Sequence, residues 1–239
     1  MKNIAVILAG GSGNRLGGEL PKQLLPLADK KTILAHAVDA FECAEKIDGI
    51  LIVMHRAYIE QAERMKASND WKKLLTIIPG GQERWESSLK ALQWLTENEP
   101  QEVNVLLHDA ARPFVSARII QDVCLALEKY EAVTVAIPAT DTMYQICQKD
   151  GESVVETIPD RRQMMRAQTP QAFRLSLISR AYAIALHDHS FLATDDCGIV
   201  HCYLPEQPIY IVEGEEANRK ITFQEDLLYG ERIEKTKKI

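Results

Sequence analysis

The chain has 239 residues, of which 46% are hydrophobic and 6% aromatic, and it carries a formal net charge of −6 at neutral pH. This length and composition predict a single domain over residues 1–239 with a substantial core. The negative charge argues against nucleic acid as the main partner, because nucleic-acid-binding proteins usually present a basic face.

The sequence also predicts a protein that is not embedded in a membrane. It contains no run of 18 apolar residues, and its first strand-like stretch begins directly after Met1-Lys2-Asn3. A membrane span and a secretory signal are therefore not expected. The five cysteines include no C-x-x-C pair, which favours reduced thiols in the cytoplasm over disulfides or a zinc site.

Apolar runs alternate with helical patterns along the first 137 residues. Because continuous apolar runs are typical of strands buried on both faces, this alternation predicts β-α units in a mostly parallel sheet. Ligands of such sheets bind beyond the carboxyl ends of the strands. The predicted strands cover residues 4–8, 49–54, 74–78, 103–107 and 132–137, and the predicted helices lie near 33–44, 57–68, 84–97 and 116–130.

A glycine-rich segment follows the first predicted strand. Residues 10–18 include five glycines, and the cations Arg15 and Lys22 stand within or just after this segment. Glycines let a backbone approach an anion closely, and cations hold the parts of the anion that backbone amides do not reach. A triphosphate fits this combination. The P-loop pattern is absent, and the dinucleotide fingerprint fails because Leu16 stands where its third glycine belongs.

Two further segments follow predicted strands. In residues 79–88 a Gly-Gly turn leads into a helix, which is either a plain helix start or part of a ligand site. In residues 107–114, Asp109 follows a strand, and Arg112 comes three residues later. This pair is either a local ion pair of about 0–1 kcal/mol or a site where Asp109 and phosphate oxygens share Mg²⁺. His108 is expected to pack or to hydrogen-bond rather than to catalyse.

The pattern changes after Ile137. Two strand-like runs, 138–147 and 153–158, flank an Asp-Gly turn within residues 149–151. An Asp-Gly pair between such runs predicts a β-hairpin. Because a lone hairpin is marginal in water, this arm, at about residues 139–160, is expected to pack on something else.

Two helix starts are predicted near the carboxyl end of the chain. Thr194 precedes two acidic residues, and this order predicts a helix capped by the threonine. Thr222 is followed three residues later by Glu225, which predicts a capping box that opens the last helix.

Four motifs together resemble those of one family. They are L-A-G-G-x-G-x-R-[LM]-G followed by L-P-K-Q at residues 8–23, H-D-A-A-R-P at 108–113, T-P-Q at 169–171, and N-x-K-[IV]-T at 218–222. The chain is similar, nearly end to end, to the sugar nucleotidyltransferases that include 2-C-methyl-D-erythritol 4-phosphate and ribitol-5-phosphate cytidylyltransferases. The resemblance implies a Rossmann-like α/β fold of the nucleotidyltransferase type, with a mostly parallel sheet and a protruding β-arm for dimerisation.

The same resemblance implies Mg²⁺-dependent transfer of CMP from CTP to a polyol phosphate, with release of pyrophosphate, in a homodimer with shared active sites. Residues 160–162 and 168–171 would then reach into the partner's site. Arg15, Lys22 and Lys220 take catalytic roles, and Asp109 is the candidate metal ligand. The resemblance further implies nucleotide binding by Ala9, Gly10, Gly11, Gly13, Gly81, Gln82 and Ser87, and acceptor binding by Asp109, Arg112, Thr142, Arg161, Thr169 and Thr194.

Two acceptors stay open at this point. The first is 2-C-methyl-D-erythritol 4-phosphate, which would give 4-diphosphocytidyl-2-C-methyl-D-erythritol for isoprenoid biosynthesis, and the alternative is D-ribitol 5-phosphate. Tyr144 stands where the isoprenoid enzymes commonly have lysine, and residues 195–198 also differ from their usual sequence. The L-A-G-G form of residues 8–11 is shared with the ribitol enzymes.

Two other classes compete with the transferase. A Rossmann oxidoreductase is disfavoured because no acidic residue ends the second strand, at residues 53–55. A nucleotide-binding module without catalysis would bind CTP but would release no pyrophosphate from any polyol phosphate.

Overall fold

The computed structural model describes residues 1–11, 20–191, 193–223 and 225–226. Its centre is a seven-stranded sheet with the order β3-β2-β1-β4-β8-β5-β9. The strands are β1 (Asn3–Ala9), β2 (Gly49–Met54), β3 (Leu74–Pro79), β4 (Asn104–Asp109), β5 (Ala132–Pro138), β8 (Met165–Arg174) and β9 (Tyr210–Glu213). All neighbouring pairs in this sheet are parallel except the two that involve β8, which is antiparallel to both β4 and β5. The expected mostly parallel α/β sheet is therefore confirmed.

The helices cover both faces of the sheet. They are α1 (Ile33–Glu42), α2 (Ile59–Ser68), α3 (Arg84–Asn98), α4 (Ala117–Ala126), α5 (Leu175–Ala185) and α6 (Asp196–Tyr203). None of the helices in the described part of the chain combines the length and apolar composition that crossing a bilayer requires.

Alternation along the strands divides the core into two layers. In β1, Ala5 and Ile7 pack with α1, α2 and α4, whereas Ile4 and Val6 pack with α3, α5 and α6. Successive side chains of a strand point to opposite faces, so a strand that is apolar throughout requires cover on both sides. The continuous apolar runs in the sequence therefore predicted both layers.

Strand β8 is one of three regular elements that the sequence pattern did not reveal, together with α5 and β9. It inserts between β4 and β5, and it carries the buried polar side chains Gln168, Thr169 and Gln171. Because these residues interrupt the apolar run, periodicity does not identify a central strand. The expectation that residues 168–171 reach into a partner's site is wrong, since they lie inside the sheet of their own chain.

The predicted hairpin is present as a separate two-stranded sheet. Strands β6 (Gln145–Lys149) and β7 (Glu152–Thr157) pair with each other in antiparallel fashion. The turn between them places Asp150 and Gly151 at positive φ, of 51° and 83°. This is the geometry for which an Asp-Gly pair is suited.

Candidate active site

A cleft of about 300 Å³ opens where β1 and β4 end. These strands are parallel neighbours, so their carboxyl ends reach the same edge of the sheet. Ligands of α/β sheets bind at that edge. The lining combines residues from four distant parts of the sequence: Leu8, Ala9, Gly10, Gly11, Lys22, Gln23, Gln82, Glu83, Arg84, Ser87, Asp109, Ala110, Ala111 and Lys220.

The glycines of two loops meet at one wall of this cleft. A Cβ atom on Gly10 would lie 2.6 Å from Oγ of Ser87, and one on Gly80 would lie 2.9 Å from the same atom. Glycine is required here because the two backbones pass so closely. Ser87 Oγ also accepts a hydrogen bond from the Gly81 N–H at 3.1 Å. The predicted nucleotide-binding loops after β1 and β3 are thus in direct contact.

Gln23 holds the end of β1 from the side. Its Nε2 atom donates to the carbonyl oxygens of Ala9 at 2.7 Å and Gly11 at 2.9 Å. Gln23 itself is only 3% exposed. Both amide hydrogens are therefore used to fix the carbonyl groups of the two residues on either side of Gly10.

Asp109 is the electrostatic centre of the cleft. Its Oδ2 accepts from Lys220 Nζ at 2.6 Å, and its Oδ1 accepts from Arg84 Nε at 3.0 Å. Burial by itself would raise the pKa of Asp109, but Arg84 and Lys220 outweigh burial and hold that pKa far below its usual value. Asp109 is therefore an ionised carboxylate at neutral pH.

The network continues from Arg84 into the core. Its Nη1 donates to Oδ2 of Asp196 at 2.6 Å, and Oδ1 of Asp196 accepts from the Tyr182 hydroxyl at 2.7 Å. Sequence analysis did not select Arg84 as a site residue. The available signal was its position, because Arg84 is the first residue of α3 and comes three residues after the Gly-Gly pair.

His108 acts as a structural link, as expected. Its Nε2 lies 3.0 Å from the Arg112 carbonyl oxygen, which can only accept, so Nε2 carries the proton. Its Nδ1 then accepts from the Thr169 hydroxyl at 3.1 Å, and Thr169 Oγ1 accepts from the Asp109 N–H at 3.1 Å. Burial lowers the pKa of His108 to about 4, which keeps the imidazole neutral.

The segment that carries Lys220 is anchored by its neighbours. The Ile221 carbonyl oxygen accepts from Lys22 Nζ at 2.8 Å, and the Ile221 N–H donates to the Ala111 carbonyl at 2.8 Å. Arg112 Nη1 donates to the Asn218 carbonyl at 2.8 Å. The two predicted catalytic lysines are thus joined through one short segment.

Several predicted site residues lie outside this cleft. Thr142 and Arg161 are exposed beside the arm, where Arg161 Nη1 donates to the Thr140 carbonyl at 3.0 Å. Thr194 is exposed and does not cap α6, because Asp195 takes that place by accepting from the Gly198 N–H at 2.7 Å. A carboxylate accepts more strongly than a hydroxyl from an N-terminal amide, which explains the correction.

Other predictions fall where the structure gives no placement. Gly13 and Arg15 belong to residues 12–19, which lie outside the described residues. Most of the predicted last helix also lies outside the described residues. At its start, Asp226 Oδ2 accepts from the Thr222 N–H at 2.8 Å.

The oxygen and nitrogen donors of the described residues limit how Mg²⁺ could bind. Within the described ranges, three His, Cys, Asp or Glu side chains do not come together in a group able to hold a metal. Mg²⁺ is often bound by one or two carboxylates together with substrate phosphates. Asp109 provides one carboxylate in the cleft, so the described part of the site fits a cation that arrives with a nucleotide.

The mostly parallel α/β sheet, with glycine loops, lysines and a carboxylate at its carboxyl edge, places the chain in the class of nucleotidyltransferase-like proteins. Residues 3–235 match the family profile described as IspD, 2-C-methyl-D-erythritol 4-phosphate cytidylyltransferase. The chain therefore belongs to the 2-C-methyl-D-erythritol 4-phosphate cytidylyltransferase family. As a member, it is a cytidylyltransferase, an enzyme that uses CTP as a substrate.

Individual relatives agree with this assignment. The 2-C-methyl-D-erythritol 4-phosphate cytidylyltransferase of Thermobifida fusca is 46% identical over 97% of this chain and 93% of its own length. A bifunctional ribulose 5-phosphate reductase/CDP-ribitol pyrophosphorylase of Haemophilus influenzae is 39% identical over 97% of this chain but 48% of its own. The crystal structure of 4-diphosphocytidyl-2C-methyl-D-erythritol synthase from Anaerococcus prevotii matches with a TM-score of 0.84 at 27% identity, over 98% of this chain and 96% of that one.

Proposed function

We propose that this enzyme transfers CMP from CTP to 2-C-methyl-D-erythritol 4-phosphate and releases pyrophosphate. The observation that carries the proposal is the convergence of Lys22 and Lys220 with Asp109 in one cleft at the glycine-lined end of β1. Such an arrangement of two cations and one carboxylate suits a reaction in which one phosphate displaces another.

The reaction needs charge neutralisation more than it needs a base. A phosphate monoester has its second pKa near ~6, so the attacking oxygen is already an anion at neutral pH. His108 is buried and neutral, with both ring nitrogens hydrogen-bonded within the protein. Lys22 and Lys220 are placed to offset the negative charge of the α-phosphate and of the departing pyrophosphate. Holding both substrates in line contributes much of the remaining rate enhancement.

The nucleotide and the acceptor have separate contacts in this proposal. Ala9, Gly10 and Gly11 border the phosphates, while Gly81, Gln82 and Ser87 border the base. Gly81 and Gln82 also line a neighbouring groove that shares Gly10 with the cleft. The proposed acceptor contacts are Asp109, Arg112, Thr142, Arg161 and Thr194. Thr169, which is buried, instead supports Asp109 by accepting from its N–H. Gly13 and Arg15 complete the proposed phosphate site.

Mg²⁺ is proposed as the cofactor, held by Asp109 and by the phosphates of CTP. When bound, Mg²⁺ would neutralise phosphate charge and polarise the phosphoryl oxygens. Lys220 already occupies Oδ2 of Asp109 at 2.6 Å. Lys220 is therefore placed to exchange its carboxylate partner for a phosphate when CTP and the cation enter.

A homodimer with shared active sites is proposed as the functional assembly. Ile146 and Val155 are cross-strand partners in the arm, and they are 57% and 51% exposed. Tyr144, next to this pair, is 58% exposed. An apolar face on a lone hairpin is unfavourable in water, and a second copy of the chain would cover it. The arm would then bring Thr142 and Arg161 to the cleft of the partner.

One assay tests the function and the choice of acceptor. Pyrophosphate release is measured with CTP and Mg²⁺ in the presence of 2-C-methyl-D-erythritol 4-phosphate or D-ribitol 5-phosphate. We expect a higher kcat/KM with the methylerythritol substrate, in line with the relative of 46% identity. A higher kcat/KM with ribitol 5-phosphate would identify that compound as the acceptor instead. Binding of CTP without turnover of either polyol phosphate would support a non-catalytic nucleotide-binding module.

The assembly is tested separately by sedimentation velocity. The wild-type chain is expected to sediment as a dimer, and Val155→Asp as a monomer, because a charge on the apolar face opposes its burial. Val212→Asp is unsuitable as a control because Val212 is in the core. Leu125→Asp serves instead, since Leu125 is 40% exposed on α4. If the wild-type chain sediments as a monomer, the proposed homodimer is wrong.

A further inference from the structure

The starting point is a carboxylate that does not line the cleft. Asp196, the first residue of α6, has no exposed surface. A buried charge is costly unless it is paired and hydrogen-bonded. Asp196 meets this condition on both oxygens, through Arg84 at 2.6 Å and Tyr182 at 2.7 Å. Its N–H also donates to Oε1 of Gln171, at 3.0 Å.

Arg84 joins this buried carboxylate to Asp109 in the cleft. Nη1 of Arg84 donates to Asp196 while Nε donates to Asp109. The guanidinium is planar and rigid, so the two donors cannot move independently of each other. The position of Asp196 therefore determines the angle at which Arg84 approaches Asp109.

Asp196 also divides the charge of Arg84. With both carboxylates present, the single positive charge of Arg84 is shared between Asp109 and Asp196. Without the second carboxylate, that charge would rest on Asp109 alone. Asp109 would then be held more tightly by Arg84 and would be less available to Lys220 and to an incoming ligand.

We propose that Asp196 is a positioning residue for the acceptor site, acting on Asp109 through Arg84. This inference rests on the proposed function, in which Asp109 contacts the polyol phosphate. Tyr182 supports the arrangement by fixing the second oxygen of Asp196. Within the described residues, the hydrogen-bond partners of Asp196 are Arg84, Tyr182 and Gln171, and none of the proposed nucleotide contacts is among them. The effect of Asp196 is therefore expected on the acceptor rather than on the base and phosphate contacts of CTP.

The test uses Asp196→Asn, which keeps the shape of the side chain and removes its charge. We expect kcat/KM for the polyol phosphate to fall about tenfold or more, because a slight misplacement of a substrate contact can cost up to 10²-fold. The Kd for CTP, measured by calorimetry without Mg²⁺ so that no cation links Asp109 to the phosphates, is expected to stay within about twofold of wild type. Asp188→Asn is the matched control. Asp188 also accepts a hydrogen bond from a tyrosine hydroxyl, that of Tyr203 at 2.8 Å, but it does not line the cleft.

Tyr182→Phe provides a second variant if loss of the buried charge prevents folding. It removes one hydrogen bond to Asp196 and nearly conserves volume, and Tyr203→Phe makes the corresponding change on α6. We expect Tyr182→Phe to lower kcat/KM for the polyol phosphate by about three- to tenfold, with the Kd for CTP unchanged. If Tyr182 had only a structural role, Tyr182→Phe would lower the melting temperature but would not change kcat/KM for the polyol phosphate more than the Kd for CTP.

The outcomes distinguish this inference from the function on which it rests. Wild-type protein that releases no pyrophosphate would overturn the proposed function, and this inference with it. Active wild type together with variants that affect CTP and the acceptor equally, or neither, would overturn only the role of Asp196. If Asp196→Asn does not fold, the result with Tyr182→Phe decides.

Discussion

Nζ of Lys220 lies 2.6 Å from Oδ2 of Asp109, although 111 residues separate them in the chain. The lysine side chain is 36% exposed, whereas that of Asp109 is 10% exposed. The pair therefore joins a rigid carboxylate inside the cleft to a cation that can still reach solvent or a ligand. This relationship motivates the first prediction.

Lys220→Ala is expected to lower the rate of pyrophosphate release by about 10²–10³, as does the loss of a preorganised donor in other enzymes. The protein should stay folded, because the removed side chain is partly exposed. The measurement is kcat at saturating CTP and acceptor, with circular dichroism as a check on folding. Lys46→Ala is the control, since Lys46 pairs with Glu128 on the surface. A variant with wild-type kcat would contradict a role for Lys220.

Lys22→Ala is expected to abolish pyrophosphate release in a folded protein. Lys22 lines the cleft next to Gly10 and Gly11, so its charge would be lost where the phosphates are proposed to bind. Single-turnover assays would detect any residual chemistry. Lys31→Ala, which removes a surface pair with Asp39, is the control. Near wild-type turnover would exclude this loop from catalysis.

Gln23→Glu tests whether the amide holds the loop after β1. The change replaces the donor Nε2 with an oxygen that would face the carbonyl oxygens of Ala9 and Gly11. Repulsion between these oxygens should displace the loop and raise the Kd for CTP by about tenfold or more. Calorimetric titration measures this effect, and Gln207→Glu, on the loop after α6, is the control. An unchanged Kd would mean that the loop keeps its form without Gln23.

Arg161→Ala is expected to raise the KM for the polyol phosphate far more than the KM for CTP. Arg161 lies beside the arm and does not line the cleft of its own chain, so the expected effect depends on the proposed dimer. Steady-state kinetics with each substrate varied in turn provide the measurement. Arg162→Ala is a close control, because the neighbouring Arg162 pairs with Asp160 on the surface. Equal changes in both KM values would remove Arg161 from the acceptor site.

The pH dependence of stability should report on His108. Its pKa is about 4 in the folded protein against about 6.5 in an unfolded chain. The unfolded state therefore binds the proton more readily, and stability is full above pH 6.5 and falls as the pH is lowered towards 4. Between pH 7.5 and 5 the loss should be about 2 kcal/mol in the free energy of unfolding.

Urea denaturation at the two pH values measures this loss. His108→Gln lacks the titrating group, so its free energy of unfolding should change less over the same interval. The slope compared is the change in the free energy of unfolding with pH, so any constant cost of the substitution itself cancels. Equal slopes for the wild type and the variant would show that His108 does not titrate as its burial requires.

Much of the architecture was accessible from sequence alone. The continuous apolar runs of β1, β2 and β4 predicted buried parallel strands, because only strands covered on both faces are apolar throughout. Glycines and the cations Arg15 and Lys22 close to the end of β1 predicted an anion site, and the structure has a cleft at this edge of the sheet, although binding of an anion there stays a prediction. The Asp-Gly turn predicted the hairpin, since few other residue pairs accept positive φ at successive positions.

The tertiary structure decided what local patterns do not encode. Strand β8 escaped prediction because its buried side chains Gln168, Thr169 and Gln171 are polar, and their partners come from distant segments. Arg84 likewise becomes significant only when folding brings Asp109 and Asp196 to its two donors. Periodicity and motifs report local preferences, whereas hydrogen bonds and ion pairs between distant residues exist only after the sheet has formed.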